Sequence, residues 1–169
     1  MLKIIKDFSG ASIGNHRIEG NKIIAKLREE QLTFSDAQPY DYNYHFCFGI
    51  KNENQEAVAV ELFINCNGSF DLSNHEALLF QGKSPQEEFI KFTGYSWTDT
   101  FKRYFVKLSI RPNETIYIAN YYFRQYETLL KLFDELAKKA NATKEVFGRT
   151  IELRDIVSYS LRLGEGNDR

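Results

Sequence analysis

Residues 44–66, YHFCFGIKNENQEAVAVELFINC, contain two stretches in which apolar residues recur at every second position. In the first stretch these residues are Phe46, Phe48 and Ile50, and in the second they run from Val58 to Cys66. Alternation with a period of two is typical of β-strands that bury one face. The polar residues at positions 52–55 separate the stretches, so we predict a β-hairpin at this point.

The same alternation recurs elsewhere in the chain. Residues 104–110 alternate, Pro112 presets a turn, and Ile116 and Ile118 resume the pattern. Weaker strand patterns occupy residues 2–8, 12–19, 22–28 and 88–92, and the Gly- and Ser-containing stretch 68–86 is predicted to be the longest loop. Short strands joined by polar turns predict a mainly β protein, an antiparallel β-sandwich of jelly-roll type.

The period changes after residue 125. Six apolar residues then recur at helical spacing: Leu129, Leu130, Phe133, Leu136, Ala137 and Ala140. They predict one α-helix over residues 126–140, with Asn141 as its stop. The segment from Thr150 to Leu163 again has strand character, which predicts a C-terminal β-hairpin. We therefore divide the chain into a sandwich domain, residues 1–124, and a helix with a hairpin, residues 125–169.

Composition excludes several classes of function. The chain of 169 residues has a net charge of −1, which provides no overall field for binding nucleic acid. No stretch is apolar enough for a signal peptide or a membrane span. Lys and Arg residues never cluster beyond two in sequence and are interpreted as ordinary solvated positions. Cys47 and Cys66 are too few for a disulfide framework, so we expect both to be reduced and the protein to be cytoplasmic.

The order of these segments resembles the N-terminal β-sandwich domain of cytosolic-type zinc metallocarboxypeptidases. Four stretches carry the resemblance: FSGASIGN at 8–15, YHFCFGIKN at 44–52, ETIYIANYY at 114–122 before the helix, and FGRTI at 147–151. The last is similar to the Gly-Arg element that opens the peptidase domain of that family. His45 replaces an aromatic residue that is typical of the second stretch.

The resemblance implies an accessory domain that is followed by only the opening segment of a peptidase domain. The complete enzyme would bind zinc and remove C-terminal residues from peptides, whereas no cofactor is expected in this chain. Its partners would be the peptidase domain or the peptide substrate. Strand-forming residues from Thr150 to Leu163 would lack their sheet neighbours, so we expect self-association through this segment.

One set of residues is a candidate catalytic or metal site. His16 and Glu19 have His-x-x-Glu spacing, but residues three apart on a strand face opposite sides of the sheet. A third ligand would have to be His45 or His75, and His75 lies in the predicted long loop. A solvated histidine is the better interpretation of each, so a hydrolase built on His16, Glu19 and His75 is not favoured, and we expect no catalytic or metal-binding residues here.

The alternative function is a free-standing module that binds carbohydrate or another ligand. Trp97 and Tyr95 lie in an aromatic-rich segment that could stack on a sugar, although packing in the core or between domains is favoured for Trp97. His45 alternates with Phe46 and Phe48, so it should face solvent or a neighbouring domain. Trp97, Tyr95 and His45 are therefore the candidate ligand or interdomain surface.

Overall fold

A computed structural model describes residues 1–28, 45–66, 78–98, 101–150 and 153–161. The described residues form twelve strands and one helix. In chain order these are β1 (Leu2–Ile5), β2 (His16–Glu19), β3 (Lys22–Lys26), β4 (Cys47–Asn52), β5 (Val58–Asn65), β6 (Leu79–Gly82), β7 (Ile90–Phe92), β8 (Tyr95–Thr98), β9 (Arg103–Ile110), β10 (Thr115–Ala119), α1 (Tyr126–Ala140), β11 (Thr143–Arg149) and β12 (Asp155–Ser160).

Ten of these strands form two five-stranded sheets. Sheet A has the order β1-β4-β10-β6-β7, and all its neighbours are antiparallel. Sheet B has the order β2-β3-β5-β9-β8 and is antiparallel except for the parallel pair β3–β5. With one helix and a C-terminal hairpin, the mainly β fold class predicted from the sequence is confirmed.

The hairpin predicted at residues 52–55 is wrong, because β4 belongs to sheet A and β5 to sheet B. The turn at residues 111–114 likewise links β9 in sheet B to β10 in sheet A. Alternation shows which face of a strand is buried. It cannot distinguish two strands in one sheet from two strands that face each other across the core.

Two other segment predictions need correction. The predicted loop 68–86 contains the short strand β6, and the rest of that prediction from 68 to 77 lies outside the described residues. The first strand of the C-terminal hairpin is β11, which precedes the predicted segment and has mostly exposed side chains. A strand with no buried face leaves no alternation to detect.

The main core lies between the two sheets. Sheet A contributes residues such as Phe48, Ile50 and Ile118, and sheet B contributes Leu62 and Tyr104, among others. The rings of Phe46 and Tyr104 meet across the core with centroids 5.7 Å apart. Burial of these large side chains is the main stabilising contribution to a fold of this size.

A second apolar cluster covers the other face of sheet A. Because Cys47 alternates with core residues on β4, its side chain points away from the main core. It packs with three further buried residues, Phe89, Ala119 and Phe123, and with half-buried aromatic rings from Phe8, Phe80, Tyr117 and Tyr121. Sheet A is therefore apolar on both faces, which explains why strand β4 is buried at almost every position.

Two buried asparagines hold strand ends together. Asn52 donates from Nδ2 to the carbonyls of Glu56, Ile110 and Arg111, and its Oδ1 accepts from Asn54. Asn120 Oδ1 accepts from the main-chain N–H of Phe46 at 2.9 Å. In the described part of the chain no buried side-chain polar atom lacks a partner.

The chain divides into two compact units, residues 1–125 and 126–169. In the second unit, which we call the αββ unit, α1 is followed by the antiparallel pair β11–β12. The helix has the bounds predicted from its periodicity, and Asn141, the residue that follows it, has φ of 54°. The N–H of Ala142 bonds to the carbonyl of Ala137 at 2.8 Å, as in a Schellman cap.

Candidate functional site

The aromatic residues predicted as a ligand surface lie mostly inside the sandwich. Tyr95 and Trp97 project from β8 towards the main core and are half-buried. The Trp97 ring meets the Tyr104 ring edge to face with centroids 4.7 Å apart, and Tyr95 lies 5.9 Å from the same ring. The structure therefore brings Tyr95 and Trp97 together as residues that pack against the main core.

His45 is placed apart from that pair. It is exposed, as expected from its alternation with Phe46, and its ring meets the ring of Tyr121 with centroids 5.0 Å apart. Tyr121 belongs to the apolar cluster on the outer face of sheet A, and burial raises its pKa to about 12. The three predicted residues therefore do not form one site.

The His-x-x-Glu spacing of His16 and Glu19 does not gather metal ligands. The two residues pair with Ala25 and Lys22 on β3. Ala25 faces the core, so its partner His16 is on the same face of the sheet. Glu19 lies three residues further along the strand and therefore points to the opposite face, where it forms an ion pair with Arg17 at 3.2 Å. Across the described ranges, no three His, Cys, Asp or Glu side chains are grouped to hold a metal ion. His16 and Glu19 therefore do not fit a zinc centre. His75 lies outside the described residues.

The two thiols are free and buried in different places. Cys66 belongs to the main core, whereas Cys47 belongs to the cluster on the other face of sheet A. Desolvation raises the pKa of Cys66 to about 12, and it raises the pKa of Cys47 well above its usual range. Since the thiolate is the nucleophile, neither residue is arranged for covalent catalysis.

A basic cleft on the outer face of sheet B was not found from the sequence. It has a volume of about 540 Å³, and its lining includes the cations Arg17, Lys22, Lys26 and Arg103. Strands β2, β3 and β9 supply these residues, and β5 places Phe63 between them. In the sequence, each of these cations alternates with a core residue, which indicates only that its side chain points to the outer face of the sheet. The strand order of sheet B then brings the four cations together.

The αββ unit exposes much of its apolar surface. Among its described residues, eight large apolar side chains are exposed: Leu132, Phe133, Leu136, Val146, Phe147, Leu153, Ile156 and Leu161. Polar contacts connect α1 to the hairpin, where Asp134 accepts from Lys144 at 2.7 Å and from Tyr159 at 2.8 Å. Bonding to Lys144 lowers the pKa of Asp134. The Phe133 ring also stacks on the Tyr159 ring with centroids 5.7 Å apart, so polar and aromatic contacts join α1 to the hairpin while much of the apolar surface stays exposed.

No helix in the described part of the chain has both the length and the apolar character that crossing a membrane requires.

Comparison with known structures identifies proteins of the same fold. The chain is similar to a metallo-carboxypeptidase from Burkholderia cenocepacia, with a TM-score of 0.71 and 13% sequence identity over 99% of this chain and 41% of that one. It is also similar to a metallo-carboxypeptidase from Pseudomonas aeruginosa, solved with (2-guanidinoethylmercapto)succinic acid, with a TM-score of 0.63 and 14% identity over 92% of this chain and 39% of that one.

The class defined by these comparisons is a β-sandwich with an αββ unit, a fold shared with part of metallo-carboxypeptidases. The chain spans about two fifths of the length of the solved structures that it matches. No protein-family model and no curated protein matches the sequence.

Proposed function

We propose that this chain is the accessory sandwich of a zinc carboxypeptidase-like protein, followed by the opening segment of its peptidase domain. The single observation that carries the proposal is the exposed apolar surface of the αββ unit. Phe147 is 68% exposed and Leu153 is 76% exposed, and both lie in or beside the hairpin. A surface of this kind is typical of an element that packs against further structure.

The lengths of the structural neighbours support this part of the proposal. Their chains are more than twice as long as the part that matches, so a longer protein of the same class has additional elements available to cover the αββ unit. A two-stranded hairpin is marginally stable by itself, and adding strands to its edges would bury the exposed residues. In this proposal the sandwich supports folding of the peptidase domain or shapes access to its cleft.

The chemistry would belong to the additional part of the protein. The described residues contain no grouping of metal ligands, so we assign them no catalytic role. The complete protein would use zinc to hydrolyse the C-terminal peptide bond of its substrates. Free, buried thiols at Cys47 and Cys66 suit a reducing compartment such as the cytoplasm.

The proposal is tested by self-association of the chain. We expect light scattering after size exclusion to show oligomers whose abundance increases with concentration, because the large apolar side chains described in the αββ unit are exposed. Phe147→Ser should shift the equilibrium towards monomer. Phe101→Ser is the matched control, since Phe101 is 66% exposed but lies in the sandwich unit.

Two results would contradict the proposal. One is a monomer at high concentration that does not bind a hydrophobic dye. The other is equal behaviour of the Phe147→Ser and Phe101→Ser variants, which would show that the αββ surface is not the site of association. Reading the coding sequence beyond Arg169 supplies an independent test, because an apolar strand followed by His-x-x-Glu is expected there.

A further inference from the structure

We propose that the basic cleft on sheet B binds a small molecule that carries phosphate groups. The site consists of Arg17, Lys22, Lys26 and Arg103 around the ring of Phe63. It lies wholly within the sandwich unit, so the proposal stands independently of any peptidase domain.

The first argument is local charge. The whole chain has a net charge of −1, yet none of the described residues that line the cleft is Asp or Glu. Glu19 and Glu61 lie opposite Lys22 in the strand register, yet Lys22, Lys26 and Arg103 form no ion pair within 4 Å with a carboxylate of the described chain. Among the four cations only Arg17 has such a partner, Glu19. Several like charges beside one another raise the energy of the empty cleft, and a bound anion would reverse that effect.

The second argument is that two of these charges are held in position. The Lys22 ammonium lies 5.0 Å from the centroid of the Phe63 ring, and the Arg103 guanidinium lies 5.8 Å from the same centroid. Arg103 Nε also donates to Asn65 Oδ1 at 2.6 Å. Cation–π contacts and this hydrogen bond restrict both side chains before any ligand arrives, which lowers the entropic cost of binding.

Phe63 is itself fixed. It stacks on Phe105 of the neighbouring strand, with ring centroids 4.8 Å apart and planes at 30°. The pairing of Phe63 with Phe105 in the register of β5 and β9 places both rings on the outer face of sheet B. The aromatic pair therefore forms a rigid floor beneath the two cations.

The third argument concerns the class of ligand. A volume of about 540 Å³ is in the range of small-molecule sites. Phosphate groups carry up to two charges each and accept several hydrogen bonds, and Lys and Arg are the side chains that bind them most often. A single carboxylate would neutralise only one of the four cations. Ile24 and Phe63 offer apolar contact to the organic part of a phosphate ester.

The test is calorimetric titration of the full chain with inorganic pyrophosphate and with ADP, both without metal. We expect saturable binding with one site per chain that weakens as salt is added. Lys22→Gln should weaken binding about tenfold, the size expected for one charge-assisted contact. Circular dichroism and the urea midpoint should stay unchanged, because Lys22 lies on the outer face.

Lys107→Gln is the matched control. Lys107 lies on the same face of sheet B, with its ammonium 5.6 Å from the Phe105 ring, but it lines a different cleft. This variant should bind both probes as the unaltered chain does. Tighter binding of ADP than of pyrophosphate would show that the cleft also recognises the organic part of the ligand. Equal binding would show that it recognises the phosphate groups alone.

Two outcomes would overturn the proposal. The first is no saturable heat with either probe at millimolar concentration. The second is equal weakening in Lys22→Gln and Lys107→Gln, since that would mean diffuse attraction to the whole face instead of a site at Phe63.

Discussion

Asn52 Nδ2 donates a hydrogen bond of 3.0 Å to the carbonyl of Ile110, and this bond joins the end of β4 in sheet A to the end of β9 in sheet B. The same amide group also reaches the carbonyls of Glu56 and Arg111. The side chain is fully buried, and of the three carbonyls that it contacts, that of Ile110 is also buried.

We expect Asn52→Ala to lower the free energy of unfolding by about 2–3 kcal/mol, because it removes the donor of the buried Ile110 carbonyl and of two half-buried carbonyls. Urea denaturation followed by circular dichroism measures this change. Asn21→Ala is the control, since Asn21 also donates to a carbonyl, that of Ala59 at 2.9 Å, but in an exposed position. Its cost should be under about 1 kcal/mol. Similar losses for the two variants would show that burial of Asn52 is unimportant.

Gly14 is expected to tolerate no side chain. A Cβ atom at this position would lie 2.4 Å from the carbonyl oxygen of Leu27, which is main chain and cannot rotate away. We predict that Gly14→Ala destabilises the fold by about 3 kcal/mol or more. Gly20→Asn is the comparison: φ there is 62°, which Asn can adopt, and no atom lies within 4 Å of the added Cβ. Its effect should stay under about 1 kcal/mol, and a normal melting temperature for Gly14→Ala would refute the steric argument.

The two thiols should make stability depend on alkaline pH. The pKa of Cys66 rises from its ordinary 9.0 to about 12 in the folded chain. The unfolded chain therefore loses thiol protons first as pH increases. This contribution to stability is complete below pH 9 and is lost between pH 9 and about 12.

Comparison with a Cys47→Ala, Cys66→Ala double variant isolates this effect. Its free energy of unfolding should decline less steeply above pH 9 than that of the unaltered chain. A thiol reagent should also label the native protein slowly and both cysteines promptly in denaturant. Rapid labelling at neutral pH under native conditions would contradict the burial of both groups.

Trp97 should report packing and not sugar binding. We predict that titration with mono- and oligosaccharides produces no saturable quenching of its fluorescence. Trp97→Ala should cost about 2–3 kcal/mol because the contact with Tyr104 is lost. Trp97→Phe, which keeps an aromatic ring in place, should cost less. Saturable quenching by any sugar would revive the binding module as the function of this chain.

Periodicity in the sequence predicts the helix and most individual strands, but it does not predict which strands pair with each other. The bounds of α1 follow from apolar residues at helical spacing, and most strands of the sandwich follow from alternation, because both signals are confined to neighbouring residues. The partner of each strand depends on residues far away in the chain. Strand β4 therefore pairs with β1 and β10, and not with β5, which follows it in sequence.

The basic cleft illustrates the same limit. Lys22 and Arg103 are separated by most of the sandwich sequence, and each by itself resembles an ordinary solvated residue. They meet at Phe63 only because β5 lies between β3 and β9 in sheet B. In contrast, the packing of Trp97 on Tyr104 accompanies a signal within its own strand, where half-buried and exposed positions alternate.

The order of strands also has a consequence for how the chain reaches its native state. The centre of each sheet is formed by partners distant in sequence, as in the pairing of Ile50 with Ile116 and of Lys22 with Glu61. Such contacts require large loops to close before they gain any stabilising energy, so refolding should be slow and dominated by the search for topology. Nascent chains would expose unsatisfied sheet edges during that interval, which makes early association a kinetic hazard as well as an equilibrium property.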